Sequence, residues 1–225
     1  VSDYGVYNVV CGFVSMFGFL NTSMANGIQR FYNFELGKNG EDAVVKVYNT
    51  ALIIQFVLAV GIVILTETIG LWYVNTKMVI SPERIVAANW IFQFSVLSLV
   101  FVIMQIPYSA AILAYEKMDY YAIVSIIDVL MKLSIVLILP HLSGDSLILY
   151  GLLMMDISIL NFILYYVYCH KKFHRLRFER IFDKSLFKSM LGFSGWNLFG
   201  SFAYVVKSQG VNVLINTFFG TVVNA

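Results

Sequence analysis

Four charged side chains interrupt three otherwise apolar stretches: Asp128 and Lys132 in one, Asp156 in the next and Lys207 in the last. A charge at mid-membrane costs at least about 2.5–3.5 kcal/mol, so it normally faces a bundle interior or a wet cavity. An ammonium group in such a place suits an anion such as a phosphate. A carboxylate there can set the charge of a neighbouring lysine or carry a coupling ion. Tyr121, Ser125, Asp128 and Lys132 are spaced by 4, 3 and 4 residues. On a helix they form one polar stripe, about 60° wide, opposite a face of Val, Ile and Leu. Asp128 precedes Lys132 by four residues, the favourable order for a helical ion pair. Two readings stand side by side: mutual neutralisation that aids insertion, or a phosphate contact at Lys132 with Asp128 as coupling carboxylate.

Asp156 has no base within four residues on its own helix and must find a partner across helices, stay protonated or face water. Pairing with Lys207 and placement on a cargo cavity are both open; Lys207 is the second candidate phosphate contact and Asp156 the second candidate coupling group. Small residues align with Lys207 on its helix, among them Gly200, Ala203 and Gly210, and permit close helix approach or space for a ligand. Amides make a further polar set: Asn89 and Gln93, four apart, then Gln105, Asn161, Asn197, Gln209, Asn212 and Asn216. They are expected to bond between helices or, in the case of Asn89, Gln93 and Asn197, to line a polar cavity with Tyr121 and Ser125. The three histidines lie in polar connections without metal or catalytic spacing. No phosphate loop and no nucleophile–base–orienter set is present, so neither an enzyme nor a cofactor is expected. Cys11 and Cys169 read as unpaired thiols.

The elements that must carry these residues are membrane helices. Of 225 residues 60% are hydrophobic and 12% charged, with 19 Phe and 14 Tyr; ordinary soluble domains are about a quarter charged. Six apolar spans are predicted, over 5–28, 48–74, 86–114, 120–140, 147–169 and 190–219. At 1.5 Å per residue, about 20 residues cross a hydrocarbon core of about 30 Å. None of the spans alternates as a barrel strand would. The reading is therefore an all-α, polytopic membrane bundle. Polar connections are expected at 29–47, 75–85, 115–119, 141–146 and 170–189. Pro107 is expected to free a carbonyl and kink the third span. Glu67 reads as an interfacial residue near the outer end of its span.

Lysine and arginine counting orients the chain. The first, third and fifth connections carry Arg30, Lys38, Lys46, Lys117, Lys171, Lys172, Arg175, Arg177, Arg180, Lys184 and Lys188, whereas the second and fourth carry only Lys77 and Arg84. The first group belongs on the cytoplasmic side. The chain reads as an internal piece of a longer protein, with one further span expected upstream. The strongest basic cluster, 170–189, interleaves Lys171, Lys172, Arg175, Arg177 and Arg180 with Phe and Leu. It reads as a topology anchor on anionic headgroups, or as an interfacial helix linking two halves of a transporter. Beside a membrane span it is not expected to bind nucleic acid.

Several strings resemble a family. They are Ser2-Asp3-Tyr4-Gly5-Val6-Tyr7-Asn8, Gln29-Arg30-Phe31, Glu35-Leu36-Gly37, Glu67-Thr68-Ile69-Gly70-Leu71-Trp72 and Gln105-Ile106-Pro107-Tyr108. Ala114-Tyr115-Glu116-Lys117-Met118, Ser194 to Ser201, Asn216-Thr217-Phe218-Phe219-Gly220 and Asn224-Ala225 complete them. Together they resemble bacterial polysaccharide flippases, of the lipopolysaccharide O-antigen type, in the multidrug/oligosaccharidyl-lipid/polysaccharide exporter superfamily. Thr221 stands where such proteins often carry proline. The resemblance implies a two-lobe exporter fold. Residues 1–169 would be five spans of the N-terminal lobe, 170–189 a basic cytoplasmic linker and 190–225 the first span of the C-terminal lobe. It further implies alternating-access transport of a polyprenyl-pyrophosphate-linked oligosaccharide across a bacterial plasma membrane, coupled to protons or sodium. It transfers no catalytic residue. Two other classes compete: a multidrug or ion antiporter of the same superfamily, and a membrane polysaccharide polymerase or acyltransferase.

Overall fold

The computed structural model describes residues 18–76, 82–141, 144–179, 182–197, 199, 200 and 203, with the side chains of 18–22 and of Pro82 excepted. All regular structure among them is helical. The chain runs through α1 (Gly18–Asn39), α2 (Glu41–Leu65), a π-helical turn (Thr66–Gly70) and α3 (Leu71–Thr76). After a 3₁₀ turn (Pro82–Arg84) come α4 (Ile85–Met104), α5 (Ile106–Ala114) and α6 (Met118–Ile138), which closes in a 3₁₀ turn, then α7 (Ser146–Lys172) and α8 (184–197). Four continuous helical runs, Glu41–Thr76, Ile85–Ala114, Met118–His141 and Ser146–Lys172, are long and apolar enough to cross a membrane. These are the second to fifth predicted spans. The predicted first and last spans, 5–28 and 190–219, fall largely outside the described residues, as do Lys207, Arg180, Cys11, Gln209, Asn212 and Asn216.

The connection expected over 29–47 is instead helix on both sides of a single residue. Gly40 adopts φ 76°, ψ −170°, a backbone that only glycine takes without strain, and it reverses the chain between α1 and α2. Apolar averaging missed this because it counts residues and not faces. Met24, Ile28 and Tyr32 recur every four residues on α1 and are buried, while the polar residues between them face outward.

The bundle is held along a parallel pair, α4 and α7. Ile91 meets Gly151, the Phe101 and Phe162 rings are 5.7 Å apart, and Cys169 donates to the Tyr108 carbonyl at 3.4 Å beyond the α4–α5 break. A near-constant offset of 60–61 residues keeps the two in register over about five turns. Gly151 permits the approach: a Cβ there would stand 3.2 Å from Ile91 Cγ1 and 3.4 Å from Phe94. Between α4 and α5 the helix breaks at Gln105, as the proline two residues on predicts. Pro107 has no N–H for the Ile103 carbonyl, and the N–H groups of Tyr108 and Ser109 both turn to the Gln105 carbonyl. Tyr32, fully buried, donates to the Pro107 carbonyl at 3.3 Å and so ties α1 to this break. Helix α8 docks on α1: Arg30 lies over the Phe193 ring at 4.2 Å, and a Cβ on Gly27 would stand only 2.9 Å from Ser194 Oγ.

The helices alternate in direction, so the connections sort to two ends. One end gathers Gly40, 115–117 and 173–179, where the Tyr115 and Phe173 rings stack at 4.3 Å and Arg175 pairs with Asp42 and Glu41. The other end is closed by Arg84, 2.6 Å from Asp145 Oδ2, while Asp145 Oδ1 caps α7 at the Leu147 N–H. The lysine-rich connections thus share one end, as the charge count requires. Gly151→Leu is expected to overpack the α4–α7 seam and destabilise by about 1–3 kcal/mol, with Gly151→Ala milder. Thermal unfolding in detergent checks this order.

Candidate functional site

The polar stripe on α6 meets α7 along one edge. Lys132 Nζ donates to Asp128 Oδ2 at 2.7 Å, and Asn161 Nδ2 of α7 donates to Asp128 Oδ1 at 2.7 Å. Tyr121 stands beside Tyr165 with ring centroids 6.1 Å apart, and Ser125 Oγ donates to the Tyr121 carbonyl. Asp128 lies ten residues into its helix, about 15 Å deep at 1.5 Å per residue, near the middle of the span. The neutralising pair expected from the spacing is therefore formed, with an amide added from across the seam. Val124 and Ile135 form the buried seam beside it. The Lys132 side chain remains half exposed, and Asn161 Oδ1 has no partner among the described residues. The stripe is thus an open edge: a paired charge with unused hydrogen-bonding capacity.

Asp156 is not part of this edge. It lies five residues before Asn161, which turns it by about 140° on the helix. It is exposed and shares its face with Leu160 and Ile163. Its proposed partner Lys207 lies outside the described residues. Asn197 is half-buried on α8, far along the chain from the stripe.

Asn89 and Gln93 bond between helices rather than to each other's stripe on α6. Asn89 and Asn75 exchange a reciprocal amide pair at 3.0 Å, and Gln93 Nε2 donates to Glu67 Oε2 at 3.1 Å. Glu67 sits in the π-helical turn, where Leu71 N–H reaches back five residues to the Thr66 carbonyl. Such turns occur often at functional positions. Glu67 is thus a packed polar residue with an amide partner, beyond the interfacial role read from its position.

At the basic end the linker is anchored to the bundle. Asn49, fully buried on α2, accepts from the Glu179 N–H at 2.7 Å and donates to the Arg177 carbonyl at 3.5 Å. Leu176 is buried between, and Arg175 is held by Asp42 and Glu41. Burial pushes the Tyr115 phenol up, Glu41 adds to the rise and Arg175 opposes it, so the ring stacked on Phe173 stays neutral at physiological pH. Lys171, Lys172 and Arg177 are exposed and form no ion pair among the described residues. At the same end is a cleft of about 370 Å³ between α2, α4–α5, α7 and the linker, lined by none of these three cations. Tyr108 is its aromatic centre, with ring centroids 5.9 Å from Tyr48 and 5.5 Å from Tyr166.

Asn49, Gln55 and this cleft were missed by sequence reasoning. Gln55 is a lone amide inside the most apolar run of α2, a signal in itself. It is fully buried, and neither amide atom has a partner among the described residues. Asn49 stood at a span boundary, where an amide reads as interfacial. No group of His, Cys, Asp and Glu among the described residues has metal-binding geometry.

Two outcomes are expected. Asp128→Leu leaves the Lys132 charge unpaired within an apolar span and lowers the folded yield, while Asp128→Leu/Lys132→Leu recovers it, since an unpaired charge in a membrane helix is costly and an apolar residue is not. Size-exclusion yield of the purified variants reads this cycle. Asn49→Leu removes both linker bonds and is expected to speed trypsin cleavage around Arg175 and Arg177 several-fold, read by timed proteolysis. No protein-family model, curated protein or solved structure matches the chain.

Proposed function

We propose that this chain is part of a two-lobe, alternating-access exporter in a bacterial plasma membrane. Its cargo is a polyprenyl-pyrophosphate-linked oligosaccharide destined for lipopolysaccharide or capsule. The observation that carries the reading is the Asp128–Lys132–Asn161 edge. An ion pair midway along an apolar helix, half exposed on one side, requires a polar or wet neighbour. In this reading the edge borders the chamber between lobes, Lys132 and Lys207 contact the diphosphate, and Asp128 adjusts the charge of Lys132. Support comes also from the family-like strings, from four membrane-length helices and from the basic end. A linker fastened to the first hairpin is suited to pass rocking of one lobe to the other.

The antiporter reading draws on a different observation. Glu67 and Asp156 are carboxylates inside spans with no cationic partner among the described residues, as a proton or cation carrier needs. The two internal lysines weigh against an organic cation as cargo.

Lys132→Met/Lys207→Met in the full-length protein is expected to cut surface polysaccharide at least tenfold with membrane insertion intact. Unchanged surface polysaccharide in a correctly inserted double variant removes the phosphate-contact role. Drug resistance that depends on Asp156, with no polysaccharide phenotype, would favour the antiporter.

A further inference from the structure

The ion pair on α6 leaves one neighbouring atom unserved. Asn161 Nδ2 donates to Asp128 Oδ1 at 2.7 Å, but Asn161 Oδ1, shielded from solvent, accepts from no group among the described residues. Asp128 Oδ2 is taken by Lys132 Nζ at 2.7 Å. An ionised carboxylate only accepts, so Asp128 in this form has nothing to offer the amide oxygen. A buried acceptor without a donor is costly and uncommon. A neutral carboxylic acid removes that cost. It carries an O–H beside a C=O, the counterpart of the amide's C=O beside its N–H. With a proton on Oδ2, Asp128 donates to Asn161 Oδ1 while its own Oδ1 keeps the bond from Nδ2. The two side chains then close a ring of two hydrogen bonds.

The surroundings suit such an exchange. The Lys132 side chain is 50% exposed and that of Asp128 22%. The lysine therefore has room to swing outward, whereas the carboxylate stays against α7. On α7 the titratable neighbour is Tyr165, whose hydroxyl bonds Ser125 and whose ring stands beside Tyr121. Helix α5, also packed on α6, contributes Tyr108 as its titratable group. Asp156 is turned by about 140° from Asn161 on α7 and so faces elsewhere. Lys132 is thus the cation that faces Asp128 among the described residues. In an apolar span, a carboxylate deprived of its cation is driven to take a proton.

Resting on the flippase reading for its trigger, we infer that Asp128 and Asn161 form a proton-binding site that Lys132 occupies at rest. The cargo diphosphate draws Lys132 away. A proton from water at the open edge bonds to Asp128 Oδ2, and the new O–H turns to Asn161 Oδ1. The hydrogen bond from Lys132 Nζ to Oδ2 breaks, the ammonium keeps its charge and the carboxylate loses its own. Each negative charge that Lys132 receives is matched by one proton on Asp128, so the edge stays neutral in both states. Asn161 is the positioning residue: it holds the neutral acid and thereby favours release of the lysine. By reciprocity, the proton tightens anion binding by the factor with which the anion tightens proton binding.

Infrared difference spectra of the full-length protein in phosphatidylcholine nanodiscs at neutral pH read the carboxylic-acid carbonyl directly. Lys132→Met, without any ligand, is expected to show an acid band that Lys132→Met/Asp128→Asn lacks. Identical spectra of these two variants overturn the proton site. Adding Asn161→Leu to Lys132→Met is expected to shift the band to higher frequency, because the hydrogen bonds to the acid are lost. An unshifted band overturns the pairing with Asn161. In wild type, undecaprenyl diphosphate is expected to raise the same band with uptake of a proton. Asp128→Asn, whose amide copies the neutral acid, is expected to bind this probe about tenfold more tightly and without uptake. Binding to wild type with no acid band overturns the exchange and leaves the flippase reading intact. Absence of binding to wild type, with the acid band present in Lys132→Met, removes the flippase reading and upholds the proton site.

Discussion

Hydrocarbon gives an ionised side chain no water, and the pairing of Asp128 with Lys132 answers to that fact. Asp128 and Lys132 meet each other on one helix and take a further hydrogen bond from Asn161 on the next. The arrangement neutralises net charge at the bilayer centre without filling the hydrogen-bonding capacity of the groups. An apolar pair would be a simpler solution for stability alone. Keeping a pair whose lysine stays half exposed makes structural sense when its open side meets something polar.

The two ends of the bundle solve a different problem in different ways. At one end Arg84 and Asp145 tie the 3₁₀ turn before α4 to the N-cap of α7, and few cations remain. At the other, cations are abundant, yet only some are paired. Arg175 is consumed by the acidic first turn of α2, while Asn49, buried among apolar neighbours, grips the following backbone. Fixing the linker by main-chain hydrogen bonds leaves its basic side chains free to act. The aromatic cluster around Tyr108 and the interruption at Gln105 lie just beneath, so the α4–α5 run lines both the core and the cleft.

Much of this was legible before any coordinates. Span length, the gathering of the basic connections at one end, the freed carbonyl ahead of Pro107 and the Asp128–Lys132 pair each follow from a local rule: helix rise, loop charge, a missing N–H, an i,i+4 spacing. Other elements were not. The hairpin at Gly40 was read as a long polar loop because amphipathic helix beyond the membrane looks polar on average. Asn49 and Arg177 are 128 residues apart, and no local pattern pairs them. Asp156 and the α6 stripe had similar signatures in sequence, yet helix rotation turns one away from the other.

By itself, the sequence determined that this chain forms apolar helices long enough to cross a membrane and which charges interrupt them. Those properties depend on composition and period along one helix. Only the tertiary structure decided which faces meet: Asn161 with Asp128, Gln93 with Glu67, and the linker with Asn49. Contacts between helices depend on rotation, register and close approach at residues such as Gly151. These are set jointly by all the packed side chains, so no single segment encodes them.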